Sequence, residues 1–253
     1  MQIPTLVNNL NDKIMFDKNS QFYTGQSGSY SAQYAASAIL KNVYLWMTMA
    51  LAISGLVAML VARNVELVQA LFSGGGTLLV LFLVQLGLIW LISARIGTMS
   101  FLTATLLFIL YSVVTGVTLS SVFIVFTAES IASVFFITAG TFAVVSLYGF
   151  ITKKDLSSWG SFLMMGLLGL IIASIVNWFL ASEMMYWIIS YVGVAIFVGL
   201  TAYDTQKIKQ LADAYCVEDE EIQNKIALLG AITLYLDFIN LFLYILRIFG
   251  KRK

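Results

Sequence analysis

The chain has 253 residues, 60% of them hydrophobic and only 11% charged, with a net charge of +1. Soluble domains are roughly 45–50% apolar and about 25% charged, so this composition belongs in a bilayer. The charge balance excludes a global field for nucleic acid. The single cysteine, Cys216, excludes an intrachain disulfide, and the absence of histidine excludes Ser/His and Cys/His catalysis, His-ligated zinc and histidine pH switches. Any proton or metal chemistry falls to carboxylates.

In chain order, residues 1–40 come first. They are polar, hold the only proline (Pro4), lack a secretory signal and read as a mobile tail. Residues 41–250 are the membrane domain. A helical span needs about 20 largely apolar residues. Seven stretches qualify: Asn42–Ala62, Gly76–Ala94, Phe101–Phe126, Ile131–Phe150, Leu156–Ala181, Met184–Tyr203 and Ile226–Leu246. The first six contain no charged residue, and the seventh contains Asp237. Alternating short strands are absent, and backbone groups in lipid must be satisfied within their own segment, which leaves an α-helical bundle. The fold class expected is an all-α integral membrane protein with seven transmembrane helices. Gly116, Gly166, Gly169, Gly193 and Gly199 allow helices to approach closely.

Basic residues set the orientation. With the N-terminus inside, Lys13, Lys18, Lys41, Arg95, Lys153, Lys154, Lys207, Lys209 and Lys225 are cytoplasmic, and only Arg63 lies outside before the last span. The N-terminus is therefore expected in the cytoplasm and the chain in the inner (plasma) membrane. At the other end, Arg247, Lys251, Arg252 and Lys253 favour a re-entrant last segment by charge, whereas its length and helical pattern favour a crossing. Seven crossings are the expectation. Between spans six and seven, residues 207–225 read as a loop with an acidic run, Asp213 and Glu218 to Glu221. Such a run is ordinarily a solvated surface, and a peripheral cation or partner site is the sharper alternative.

Asp237 interrupts "TLYLDFINLFLYILR". Gly230, Thr233, Asp237, Asn240, Tyr244 and Arg247 recur at steps of three and four, so they form one polar stripe on that helix. A polar stripe in a membrane faces protein or a water-filled cavity, so this helix is central or lines a pathway. Polar glue between helices accounts for Thr233 and Asn240, but accounts less well for an ionisable aspartate. Asp204 closes the sixth span in "GLTAYDTQKIK". Asp237 lies 12 residues into its span, roughly 17 Å deep at 1.5 Å per residue, while Asp204 sits at a span end. Gln85 and Arg95 share a face of the second span, and Arg95 ends on the same side as Asp204. It is either a positive-inside anchor or a partner for that aspartate.

"GLTAYDTQKIK", "LYLDFINLFLYILR" and "KKDLSSWGSFL" resemble the Bax inhibitor-1 family, over roughly residues 40–250. The resemblance implies a seven-helix bundle with the last helix central and a pH-sensitive calcium leak. It implies that Asp204 and Asp237 form a proton-sharing pair and that Arg95 latches to it. Gln85 stands near where related bacterial chains carry a glutamate. Two close buried carboxylates cannot both ionise cheaply, and they titrate as a pair. Calcium prefers oxygen ligands such as Asp. The expected function is therefore a passive, pH-gated calcium leak, in which Asp204 and Asp237 sense pH and meet the cation. Thr233, Asn240, Tyr244 and Gln85 would line its path. No tightly bound cofactor is expected, calcium being the transported or bound ion. The partners expected are the bilayer and, as an alternative role, another membrane protein such as a protease that a monomeric chain would regulate without transport. An intramembrane aspartyl protease is a third class. Its Gly-x-Gly-Asp motif is replaced by Leu234-Tyr235-Leu236-Asp237, and its Pro-Ala-Leu motif is missing, so no enzyme is expected.

Overall fold

The computed structural model describes residues 27–72, 76–215 and 219–253. Among these, eight helices follow in order: α1 (Ser27–Arg63), α2 (Val65–Phe72), α3 (Thr77–Arg95), α4 (Phe101–Val125), α5 (Ala128–Ile151), α6 (Ser157–Leu180), α7 (Glu183–Tyr215) and α8 (Glu220–Phe249). All except the short α2 are long and apolar enough to cross a membrane. The seven expected spans each fall on one of them. The first helix begins inside the segment expected to be a tail, at Ser27; residues 1–26 lie outside the described residues.

Side chains that prefer to cap set several helix starts. Ser100, Thr127 and Asp219 each accept a hydrogen bond from the backbone N–H three residues on, at the starts of α4, α5 and α8. This absorbs part of the acidic run. Asp219 caps α8, Glu220 and Glu221 occupy its first turn where the helix dipole favours anions, and Glu221 pairs with Lys225 at 2.9 Å. Glu218 lies outside the described residues.

Most of the loop expected over 207–225 is therefore helix, because α7 continues to Tyr215 and α8 starts at Glu220. The hydropathy of the sixth span ends at Asp204, but its packing does not. Ile208 and Ala212 are buried further along α7. A helix that leaves the apolar layer while still covering the bundle keeps an amphipathic pattern, which a span-length window cannot see.

The last helix packs against α1, α4, α5 and α7. Of its most apolar window 61% is buried, against 6% for α3 and 39% or less for the others. It runs the full height of the bundle. Beyond its end Arg252 opposes Phe126 on the α4–α5 connection in an isolated antiparallel bridge, so the last segment crosses rather than returns. At the other end the α5–α6 connection is clamped to α7. Gln206 Oε1 accepts from Leu156 N at 2.9 Å, Gln206 Nε2 donates to the Lys154 carbonyl at 2.8 Å, and Lys209 Nζ donates to the Phe150 carbonyl at 2.9 Å.

Without a hydrophobic drive between helices in lipid, close contact depends on small residues. At Gly116 a Cβ would sit 2.7 Å from the Ser54 carbonyl oxygen, so α4 touches the α1 backbone there. At Gly149 a Cβ would run into the Ala202 carbonyl, which brings α5 against α7 two residues before Asp204. Gly169, by contrast, meets nothing within 4 Å and plays no such part.

Two outcomes follow. Gly149→Ala overpacks a backbone contact and lowers stability by about 1–3 kcal/mol, read as a lower melting midpoint in detergent. Gln206→Ala frees two backbone groups of the α5–α6 connection at a cost of about 1 kcal/mol. Amide exchange at Leu156 then accelerates while the helices stay protected.

Candidate functional site

The α7–α8 contact brings the two predicted aspartates together. The Asp204 and Asp237 side chains lie within hydrogen-bonding reach of each other. The expected depth difference disappears because α7 runs 11 residues past Asp204, about 17 Å of further helix, so Asp204 is not at a helix end. Asp237 is 5% exposed and Asp204 is partly exposed. The Oδ2 of Asp237 has no hydrogen-bond partner among the described residues. Two carboxyl groups in contact can hydrogen-bond only when a proton sits between them, because ionised carboxylates are acceptors alone.

Several charged or titratable groups surround the pair. Lys207, one turn on along α7, acts on Asp204 through its charge, with Nζ 5.8 Å from the Tyr203 ring centroid. Asp155 on the α5–α6 connection acts on Tyr203. Hydrogen bonds from the Ser157 hydroxyl and amide hold the Asp155 carboxyl below its usual range, so it remains ionised. Beside Asp204, Thr205 belongs to a buried chain from α7 to α1. Thr205 Oγ1 meets Ser146 Oγ at 3.0 Å, and Ser146 Oγ meets Tyr44 Oη at 2.6 Å. A second polar hub lies on the other side of α8. Tyr235, fully buried, joins Ser54 Oγ at 2.6 Å, and Ser54 Oγ also lies 2.7 Å from the Ser112 carbonyl.

The other predicted residues fall around the pair in different ways. Thr233 Oγ1 and Asn240 Nδ2 donate to the Leu229 and Leu236 carbonyls of their own helix, at 3.1 and 2.8 Å. Tyr244 stacks on Phe197, with centroids 5.8 Å apart. Gln85 Nε2 donates to Thr118 Oγ1 at 2.8 Å and so ties α3 to α4. Arg95 is exposed at the end of α3 and, among the described residues, makes no ion pair with either aspartate. Its helix packs chiefly against α4.

Tyr44, Ser146 and Thr205 escaped the sequence reading. Their only signal is a hydroxyl inside an apolar span, which many membrane helices carry without any network. Among the described residues, no group of three or more Cys, Asp or Glu side chains is placed to hold a metal ion.

Comparison with known proteins places these observations in a family. The family model described as "Inhibitor of apoptosis-promoting Bax1" matches residues 36–253. The inner membrane protein YbhL of Escherichia coli K12 is 49% identical over 214 residues, covering 85% of this chain and 92% of YbhL. An uncharacterized protein of Borreliella burgdorferi is 46% identical, with 85% and 92% covered. The uncharacterized protein RP147 of Rickettsia prowazekii is 41% identical, with 84% and 89% covered. The chain is a membrane protein and belongs to the Bax inhibitor-1 family.

Proposed function

We propose that the chain is a passive, pH-sensitive calcium leak of the inner membrane, with its N-terminus in the cytoplasm. Its relative YbhL is an inner membrane protein, which supports that location, and the Lys and Arg distribution supports the orientation. The observation that carries the function is the Asp204–Asp237 contact, with one Asp237 oxygen left unpartnered in the core. A proton shared across the pair holds α7 and α8 together. When it leaves, two adjacent negative charges repel unless a cation comes between them.

Calcium takes about 6–8 oxygen ligands. Two carboxylates supply at most four oxygens, so the ion would keep part of its hydration and pass rather than reside. Thr233, Asn240 and Tyr244, on the same stripe as Asp237, would line its path.

Arg95 would act as a latch in a second arrangement, drawn to Asp204 only when that carboxylate is ionised. The sparse packing of α3, which buries 6% of its apolar window, leaves it free to shift toward α7. The latch is then a two-state device that Asp204 ionisation biases.

Calcium entry into proteoliposomes, followed with an internal indicator against external pH, tests both roles. Wild-type protein passes calcium to a pH-dependent extent. Asp237→Asn keeps a hydrogen bond to Asp204 at every pH and therefore loses that dependence; if flux and pH profile both survive, the sensing role is wrong. Arg95→Gln removes the latch only where Asp204 is charged. Its leak rises roughly two- to fivefold at the alkaline end, from an exposed ion pair worth about 0.5–1 kcal/mol, and is unchanged at the acid end. If wild-type protein passes no calcium at any pH, the leak is ruled out and a regulatory role remains.

A further inference from the structure

At the end of the bundle away from where α7 finishes and α8 begins, a cavity of about 510 Å³ opens between the end of α6, the start of α7 and the end of α8. Asn177, Ser182, Glu183, Tyr186, Arg247 and Arg252 contribute to its lining. It contains none of the aspartate pair and lies outside everything assigned above.

Two arginines converge on one ring there. The Arg247 guanidinium lies 6.0 Å from the Tyr186 centroid and that of Arg252 lies 5.9 Å from it. Arg252 Nη2 also donates to Tyr186 Oη at 3.3 Å, and Arg247 lies 5.2 Å from the Tyr244 centroid. Two positive groups on one tyrosine repel each other. Among the described residues neither forms an ion pair, even with Glu183 in the same lining. The site thus presents ten guanidinium N–H donors, one of them used by Tyr186, and a net charge of about +1 from two arginines and one glutamate.

The arrangement is built rather than incidental. Arg252 is held by its neighbours: Thr127 N donates to the Lys251 carbonyl at 3.0 Å, Lys253 N to the Val125 carbonyl at 3.0 Å, and Lys251 N to Ser130 Oγ at 2.8 Å. On the facing wall, Ser182 N donates to Asn177 Oδ1 at 3.0 Å. Between those two residues, Ala181 is held at φ 49°, the single non-glycine positive φ among the described residues. This left-handed residue is the C-cap of α6, its N–H donating to the Asn177 carbonyl, so the same Asn177–Ser182 stretch that lines the cavity is fixed by the helix end.

The surroundings identify the class of ligand. Trp178, Phe179, Met184 and Phe249, each within two residues of a lining residue along the chain, are 68–81% exposed. Aromatic side chains exposed at a helix end mark the level of the lipid headgroups. A pair of planar guanidinium forks at that level matches the oxygens of a phosphate group.

We propose that this cavity binds a phosphate group, and specifically the phosphodiester headgroup of a lipid in the leaflet on the C-terminal side. The phosphate sits between Arg247 and Arg252, and the acyl chains run down the apolar rim.

Native mass spectrometry of the full chain in neutral detergent tests this with three probes: phosphatidylglycerol, diacylglycerol (the same tails without phosphate) and inorganic phosphate. Wild-type protein retains phosphatidylglycerol about tenfold more than diacylglycerol, the preference expected of charge-assisted hydrogen bonds. Arg247→Gln with Arg252→Gln reduces retention to the diacylglycerol level, while Arg63→Gln, an exposed cation outside the cavity, leaves it unchanged. If millimolar inorganic phosphate displaces the lipid, free phosphate shares the site; if it does not, the site is specific to the headgroup. Both results support a phosphate site. Equal retention of both lipids by wild-type protein with no effect of phosphate overturns the proposal, as does a folded double variant that retains phosphatidylglycerol normally. Should the double variant fail to fold, Arg247→Gln alone, at an exposed helical position, gives the same comparison.

Discussion

The structure turns on the side-by-side packing of α7 and α8. A carboxyl as buried as that of Asp237 is costly in an apolar interior unless a partner satisfies it. Asp204 is that partner, and only a long antiparallel contact between the two helices brings it to the right height. The end of α7 at Tyr215, the Asp219 cap and the first turn of α8 set that register. The other helices then pack around α8. It meets α1 and α4 through the Tyr235–Ser54 hub, α5 through Phe135, Phe142 and Phe238, and α7 through the aspartates.

Polar groups are placed sparingly and in clusters. The Tyr44–Ser146–Thr205 chain joins α1, α5 and α7 next to Asp204, and Ser54, about three turns further along α1, joins α1 to α4 and α8. In a bilayer such contacts contribute only modestly to affinity between helices. What they supply is register. A slip of one residue in α7 would separate Thr205 from Ser146 and Asp204 from Asp237 together. The aspartate contact is therefore one that hydroxyl networks hold in alignment.

Much of this was legible in the chain. The seven spans follow from hydropathy alone, because lipid permits few other structures. The polar stripe through Asp237 follows from a period of three and four. What composition concealed was where a helix ends. Lys207, Lys209 and the acidic run look like loop, yet Gln206, Ile208 and Ala212 are buried against the bundle, and α7 continues through them. That continuation is what makes the Asp204–Asp237 contact possible, so the error in helix length and the apparent depth mismatch have one cause. The positions of Gln85 and Arg95 were hidden for another reason. Sharing a helical face says which way side chains point along α3, but not which neighbour α3 meets, and that neighbour is α4.

The thin attachment of α3 has a consequence for the surrounding membrane. At 19 residues it is the shortest crossing helix, about 28 Å long at 1.5 Å per residue, close to the hydrocarbon thickness of a bilayer at about 30 Å. Its neighbours run from 24 to 37 residues and can tilt to absorb a mismatch. With 6% of its apolar window fully buried, α3 packs one face on α4 and leaves the rest of its surface exposed. Bilayer thickness therefore bears most directly on the helix that carries Arg95, so the lipid composition of the membrane is a mechanical input to its position.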